Sequence, residues 1–137
     1  MTVSTTKLAD LLDSPVFAMV ATIQPDGSPQ QSVVWVKRDG DDVLFMSAVG
    51  SRKERNLRRD PRVSVLVSPP DAPYTYAAIR GTATFESAGA HQLRDELALK
   101  YVGKTYAQHV EDTPEAGTDR REITAIRVTP TKISGRL

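Results

Sequence analysis

The sequence predicts a β-dominated α+β fold in which six antiparallel strands form a barrel flanked by helices. Two observations lead to this fold class. Short runs rich in valine, isoleucine and aromatic residues alternate with Pro, Gly and Asp turn signals along most of the chain, whereas only a few segments show helical periodicity. At 137 residues and 39% hydrophobic content, the chain is expected to form one domain over residues 1–137.

The predicted strands follow one another through tight turns. Residues 16–23 are apolar and β-branched, which indicates a buried strand, and Pro25-Asp26-Gly27 supplies a turn. Hairpins of this kind repeat, so the sheet is expected to be antiparallel. Gly81 lies within a long predicted strand and indicates a bulge or a close approach of two backbones. The predicted strands cover residues 16–23, 30–37, 43–47, 63–67, 74–86 and 123–128.

Helices are predicted in three places. A short helix is expected near the N-terminus, and residues 91–102 carry apolar side chains every four positions, as an amphipathic helix requires. Residues 51–60 predict another short helix after the third strand. The polar segment 104–121 is expected to be irregular, and residues 130–137 are expected to form a tail after the last strand.

Composition argues against several classes of protein. The 18 Lys and Arg residues against 17 Asp and Glu give a net charge of +1, which does not favour nucleic acid as a partner. Cysteine is absent, which excludes disulfides and thiolate metal sites. Residues 1–10 contain no apolar run of signal-peptide length, and no stretch approaches the roughly 18 apolar residues of a membrane span, so a cytoplasmic protein with no membrane span is expected.

Motifs of common catalytic sites are also missing. Neither a glycine-rich nucleotide loop nor a Gly-x-Ser-x-Gly nucleophile motif occurs. The two histidines, His91 and His109, lack a further ligand at metal-binding spacing, so no metal site is expected. No catalytic side chain is predicted.

The segment 51–62 has a charge pattern that a purely structural helix would not favour. Ser51 and Glu54 have the spacing of a capping box, which places Arg52 and Lys53 in the first helical turn. There the helix dipole disfavours a cation by about 0.3–1 kcal/mol. A solvated charged face and a nucleic-acid contact are alternative interpretations, but a bound phosphate explains the cations best, because a helix N-terminus binds anions.

Trp35 is the only tryptophan, and its default role is in the core. It follows Gln31 and Ser32 on a predicted strand, which places hydrogen-bonding side chains beside a flat apolar one. This combination is typical of a site for a ring-shaped cofactor.

With these motifs, the sequence resembles the flavin-binding split-barrel superfamily typified by pyridoxamine 5′-phosphate oxidase, especially its actinobacterial branch that uses the deazaflavin coenzyme F420. The resemblance covers nearly the whole chain. Its most specific parts are residues 21–29, 51–64 and 127–135.

The resemblance implies a six-stranded split barrel that forms a homodimer, with cofactor grooves along the subunit interface. It implies that the Ser-Arg-Lys segment holds the cofactor phosphate, with Asn56 in support, and that residues 32–35 and 46–47 flank the ring. The implied cofactor-binding residues are Ser32, Val34, Trp35, Ser47, Ser51, Arg52, Lys53 and Asn56.

The implied function is that of an F420-dependent oxidoreductase, which transfers a hydride from reduced deazaflavin to a small unsaturated organic substrate. The cofactor supplies this chemistry, so the protein requires no acid–base pair. Two alternatives stay open at this point. One is that the same fold carries FMN or haem. The other is that the protein stores or carries its cofactor without catalysis.

Overall fold

The chain is described over residues 3–137 by a computed structural model. Seven antiparallel strands form one curled sheet in the order β2-β1-β5-β6-β7-β4-β3, so the β-dominated class is confirmed with seven strands in place of six. The strands are β1 (Ala18–Ile23), β2 (Pro29–Val34), β3 (Lys37–Asp39), β4 (Asp42–Ala48), β5 (Arg62–Val67), β6 (Ala77–Glu86) and β7 (Ile123–Gly135).

Helices lie at the ends of the sheet and over its open side. Their bounds are α1 (Thr5–Asp13), α2 (Arg52–Arg59), α3 (Ala90–Val102) and α4 (Tyr106–Asp112), followed by a 3₁₀ turn at Pro114–Gly117. The expectation that residues 104–121 are irregular was therefore wrong for α4. The Thr105 side chain caps this helix by accepting from the N–H of Gln108 at 3.2 Å, a short local signal that the polar composition conceals.

The hydrophobic core lies on the concave side of the sheet. Alternate residues of β1 and β5 point inward, as the period of two requires. Phe45 from β4, Ile126 from β7 and Leu57 from α2 are each fully buried in the same cluster. Burial of a side chain of this size contributes about 1.5–3 kcal/mol, so α2 is fixed to the barrel by its apolar face.

The extra strand arises where the predicted strand 30–37 breaks. The chain leaves β2 at one edge of the sheet and enters β3 at the opposite edge, with Trp35 and Val36 in the link. The backbone of Val36 is satisfied outside the ladder, because its N–H donates to Tyr101 Oη at 3.1 Å and its carbonyl accepts from Lys100 Nζ at 2.6 Å. These partners on α3 allow the strand to break, and Trp35 marks the split of the barrel.

β7 is longer than expected and includes residues 130–135 of the predicted tail. Pro130 lies in the strand opposite Gly81, at a register shift in β6, where its missing N–H is tolerated. A Cβ on Gly81 would lie 2.3 Å from the Thr129 carbonyl oxygen, so the predicted close backbone approach is confirmed. Among residues 3–137, no helix is long and apolar enough to cross a membrane.

Candidate functional site

Helix α2 begins as its sequence predicts. Ser51 Oγ accepts from the N–H of Glu54 at 3.2 Å. The Glu54 carboxylate reaches back to the N–H of Gly50 at 3.3 Å, because the N–H of Ser51 already donates to the Ala48 carbonyl. Helix geometry leaves the N–H groups of Arg52 and Lys53 without an intrahelical acceptor, so the first turn presents two free donors.

Asn56 fixes α2 to the barrel from the inside. Its side chain is 0% exposed, and Nδ2 donates to Thr22 Oγ1 at 3.0 Å and to Gln24 Oε1 at 3.1 Å. Thr22 in turn donates to Gln30 Oε1 at 2.9 Å. The network ties the helix to β1 and β2. Because no atom of the Asn56 side chain is exposed, Asn56 is not placed to make the phosphate contact that the resemblance implies.

Lys53 lies on the inward side of the same helix and is half-buried. Its Nζ donates to Ser32 Oγ at 2.9 Å and lies 5.7 Å from the centre of the Phe45 ring. Burial lowers the pKa of the Lys53 ammonium, because the surrounding protein replaces water around the charge. Ser32 and Lys53, which the resemblance assigns to different parts of the cofactor site, are 21 positions apart and contact each other directly.

Ser47 and Ser51 form a second polar pair beside Lys53. Their hydroxyl oxygens are 2.8 Å apart, and Ser47 is buried at the end of β4. Because either hydroxyl can donate in this pair, one O–H can turn toward a ligand while the other keeps the contact. The pair therefore lengthens the row of donors that begins with the N–H groups of α2.

These groups open into a cavity of about 390 Å³, called the central cavity here. Its polar side comes from β4 and α2, its apolar side from Trp35 and Met46, and its roof from α3, α4 and the segment after them. The lining residues are Trp35, Met46, Ser47, Ala48, Ser51, Lys53, Arg94, Tyr106, His109, Ala116, Asp119, Arg121 and Ile123.

A side cavity of about 300 Å³ adjoins the central cavity and shares Trp35, Met46 and Lys53 with it. It is otherwise apolar. Val34 is buried in its wall, whereas Phe17 and Val33 expose 57% and 63% of their surfaces. Together the two cavities form one groove, which has a cation at one end and apolar walls along the rest. This shape suits a flat ring joined to an anion.

Trp35 is held rigidly between the two cavities. Its ring stacks on Tyr101 with centroids 5.2 Å apart and an angle of 6° between the planes. The Tyr101 hydroxyl is held in turn by the backbone of Val16, which accepts its hydrogen bond. One face of the indole is thus covered by α3. The uncovered part of the Trp35 side chain forms a wall of the groove.

Arg52 differs from its neighbour Lys53. Its side chain is exposed and does not line either cavity. Of the eight residues implied by the resemblance, the structure brings Ser32, Val34, Trp35, Ser47, Ser51 and Lys53 together around the groove. It leaves Arg52 at the rim and Asn56 in the core.

Sequence reasoning missed the roof of the central cavity. Arg94 comes from α3, whereas Tyr106 and His109 come from α4, within the segment that was expected to be irregular. The His109 ring lies 6.0 Å from the Trp35 ring. The Thr105 cap was the one local signal that could have predicted α4 and so brought His109 near the site.

A larger cavity of about 530 Å³, the outer groove, lies on the convex face of the sheet. Its cations are exposed, and Arg62 is already paired with Asp60 at 2.7 Å. Arg80 and Lys132 lie side by side on β6 and β7. Despite its size, this groove lacks a desolvated cation, so the central cavity is the better candidate site. In residues 3–137, no group of three or more His, Asp or Glu residues is placed to hold a metal ion.

An antiparallel barrel split at one seam, with a basic helix start beside the split, defines a protein of the flavin-binding split-barrel class. Residues 4–136 match the family described as pyridoxamine 5′-phosphate oxidase, and the chain belongs to this family. The sequence resemblance is thereby confirmed at the level of the superfamily.

Two solved structures illustrate the similarity. One, named F420 reductase, is 29% identical with a TM-score of 0.76, and the alignment covers 91% of this chain and 94% of the other. The second is a conserved hypothetical protein from Mycobacterium tuberculosis, 25% identical with a TM-score of 0.76, with coverage of 97% and 84%.

Curated relatives match a shorter stretch. The pyridoxine/pyridoxamine 5′-phosphate oxidase of Aeromonas hydrophila is 38% identical over 56 residues, which is 40% of this chain and 26% of that enzyme. The Cronobacter sakazakii enzyme of the same name is 39% identical over 61 residues, or 44% and 26%. The matched stretch thus spans about a quarter of the length of these relatives.

Proposed function

We propose that this protein is a coenzyme F420-dependent oxidoreductase, which transfers a hydride from reduced deazaflavin to a small unsaturated organic molecule. One observation carries the proposal. The half-buried ammonium of Lys53 faces the central cavity, and among the described residues Ser32 Oγ is its hydrogen-bond acceptor. A desolvated cation with so few acceptors is stabilised by an anion, and a cofactor phosphate meets that need.

The donor set around Lys53 fits a phosphate. A phosphate has several acceptor oxygens, and the Ser47 and Ser51 hydroxyls lie beside the free N–H groups of the first turn of α2. The partial positive charge of the helix N-terminus adds to the attraction. In this role Lys53 binds the charge, while Ser51 both caps the helix and orients the anion.

The apolar walls of the groove are consistent with a ring-shaped cofactor. Trp35 is fixed by its stack on Tyr101, and Met46 offers a flexible apolar surface beside it. These side chains orient a ring and exclude water from it, which protects a reduced cofactor from side reactions. When bound, the reduced deazaflavin supplies the hydride.

The choice of deazaflavin over FMN rests on the extent of the similarity. The protein named F420 reductase aligns with nearly the whole of both chains, whereas the oxidases align over less than half of this one. FMN is the second candidate, because the oxidases have a higher sequence identity to this chain over their matched stretch than the protein named F420 reductase has. FMN also carries a phosphate, so the Lys53 site does not distinguish the two.

The proposal includes a homodimer as the assembled form. Met19, Val33, Leu66 and Ala78 are cross-strand neighbours on the convex side of β1, β2, β5 and β6, and Val33 and Leu66 are exposed by 63% and 37%. An exposed apolar row of this kind favours contact with a second copy. Sedimentation velocity tests this: Leu66→Glu should produce a monomer, while Gln108→Glu on the exposed side of α4 should not.

The deciding experiment is a titration of the purified protein with coenzyme F420 and with FMN, followed by oxidation of the bound reduced cofactor with a panel of conjugated acceptors. Tighter binding of F420 and turnover of at least one acceptor are expected. Tighter binding of FMN would reverse the choice of cofactor. Binding of F420 without turnover of any acceptor would identify a cofactor carrier.

A further inference from the structure

The roof of the central cavity contains a second cation that the cofactor phosphate does not require. Arg94 lines the cavity from α3, opposite Lys53 on α2. Within residues 3–137, neither Arg94 nor Lys53 is paired with a carboxylate, although nine other ion pairs are formed there. The central cavity is thus bordered by two uncompensated cations from different helices.

The Arg94 side chain is held in place by an aromatic ring and an imidazole. Its guanidinium lies 3.8 Å from the centre of the Tyr106 ring, and one terminal nitrogen lies 3.2 Å from His91 Nδ1. Tyr106 is itself fixed, because its hydroxyl donates to the Ala116 carbonyl at 3.2 Å. Neither contact supplies an anion, so the charge of Arg94 is not compensated by them.

His109 adds a hydrogen-bonding group on the same wall. Its Nδ1 is buried without a partner among the described residues, as is Nε of Arg94. Because the His109 ring also lines the cavity, it is a hydrogen-bonding group that a ligand there would meet. Asp119, the acidic residue of the cavity lining, already accepts hydrogen bonds from the guanidinium and the backbone N–H of Arg121, so it does not neutralise Arg94.

We propose that Arg94 and His109 bind the carboxylate of the acceptor substrate, and that the enzyme therefore prefers a conjugated carboxylic acid to the matching neutral molecule. This proposal rests on the proposed function for the nearby position of the cofactor. An arginine fork matches the geometry of a carboxylate, and a conjugated acid places its double bond a few bonds away from that anchor. Trp35 and Ile123 line the space in which its apolar part would lie.

Cinnamate and cinnamamide test the preference, because they have the same size and differ in charge. Calorimetric titrations are made with and without saturating F420. We expect cinnamate to bind about tenfold more tightly or better, as for a hydrogen bond to a charged group. Arg94→Met should bring cinnamate down to the affinity of cinnamamide, and Arg94→Lys should restore part of the preference.

Two controls separate this site from the cofactor site. Arg120→Met removes an exposed arginine of the same region and should leave the affinity for both probes unchanged. The affinity of Arg94→Met for F420 should stay within about twofold of the parent protein. If Arg94→Met fails to fold, His109→Phe retains a ring without the nitrogens and should lower the affinity for cinnamate alone.

The outcomes are distinct for the two proposals. Equal binding of cinnamate and cinnamamide by the parent protein, or a preference that survives in Arg94→Met, would overturn the carboxylate site. A loss of F420 affinity in Arg94→Met would also overturn it, because Arg94 would then serve the cofactor. A cinnamate preference that depends on Arg94, in a protein that binds no F420, would support the carboxylate site and reject the proposed function.

Discussion

Two half-buried lysines, Lys53 and Lys100, lie next to the split of the barrel. Their ammonium groups make different contacts. Lys100 donates to the carbonyls of Leu12 and Val36, which joins α3 to α1 and to the β2–β3 link. Lys53 donates to the Ser32 hydroxyl and otherwise faces the central cavity. A buried cation with carbonyl acceptors is part of the scaffold, whereas one that faces an open cavity indicates a site for an anion.

The largest expected difference is in cofactor binding. Lys53→Met should weaken F420 binding by about 1.5–3 kcal/mol, or about 10- to 150-fold, because it removes a charged hydrogen bond to the phosphate. Lys100→Met should leave the affinity within about twofold, since Lys100 does not line the cavity. Fluorescence titration of the deazaflavin measures both. Equal losses in the two variants would refute the assignment of Lys53.

The free energy of unfolding should respond in the opposite order, with a loss in Lys100→Met and none in Lys53→Met. Lys100→Met leaves two carbonyls without their donor and should lower the free energy of unfolding by about 1–3 kcal/mol. Lys53→Met removes a desolvated charge with a single hydroxyl acceptor among the described residues, so its stability should stay the same or rise. Urea denaturation tests this contrast, and a larger loss for Lys53→Met would show that Lys53 is the structural lysine.

The contrast between these lysines also shows what the sequence can predict. Both ends of α2 were predictable, because the Ser51 cap at its start and Pro61 after its end act within a few residues of the helix. The contact between Lys53 and Ser32 was not predicted, because it depends on how β2 and α2 pack; the family resemblance only assigned both residues to the cofactor site. The role of Lys100 was not predictable, because its acceptors lie 64 and 88 positions away.

The errors in the predicted fold have related causes. Residues 30–37 have the composition of a single strand, and the break at Trp35 becomes favourable only because Tyr101 and Lys100 satisfy the Val36 backbone. Pro130 would normally end a strand, but the register shift at Gly81 admits it into β7. In both places a contact that is distant in sequence overrides a local preference.

The pH dependence of stability should reveal Lys100. Burial lowers its pKa to about 8, although the charge of Asp13 opposes this, whereas the unfolded chain keeps the ordinary value of 10.5. Between these values the unfolded state binds more protons than the folded state, so the free energy of unfolding should rise with pH. Lys53 contributes in the same direction, because burial lowers its pKa too.

This rise should end near pH 10, where Tyr101 acts in the opposite direction. Burial raises the pKa of its hydroxyl above 10.0, so the folded state there holds a proton that the unfolded state releases. Urea titrations at intervals from pH 7 to 9.5 measure the slope in the parent protein and in Lys100→Met. A slope that is unchanged in the variant would contradict the role assigned to Lys100.

The smallest effect is expected for substitution of Arg52. Comparison with Lys53 contrasts an exposed cation with a half-buried one in the same helical turn. Its side chain lies at the rim and is surrounded by water, so its attraction for the phosphate is screened. Arg52→Met should weaken F420 binding by about 0.3–1 kcal/mol, or about two- to fivefold, and this effect should vanish in about 1 M salt. The loss in Lys53→Met should largely persist in that salt, because a half-buried pair is screened less. If Arg52→Met were as damaging as Lys53→Met and equally insensitive to salt, the arginine would close directly over the phosphate, and burial would no longer explain why one cation of this turn binds more strongly than the other.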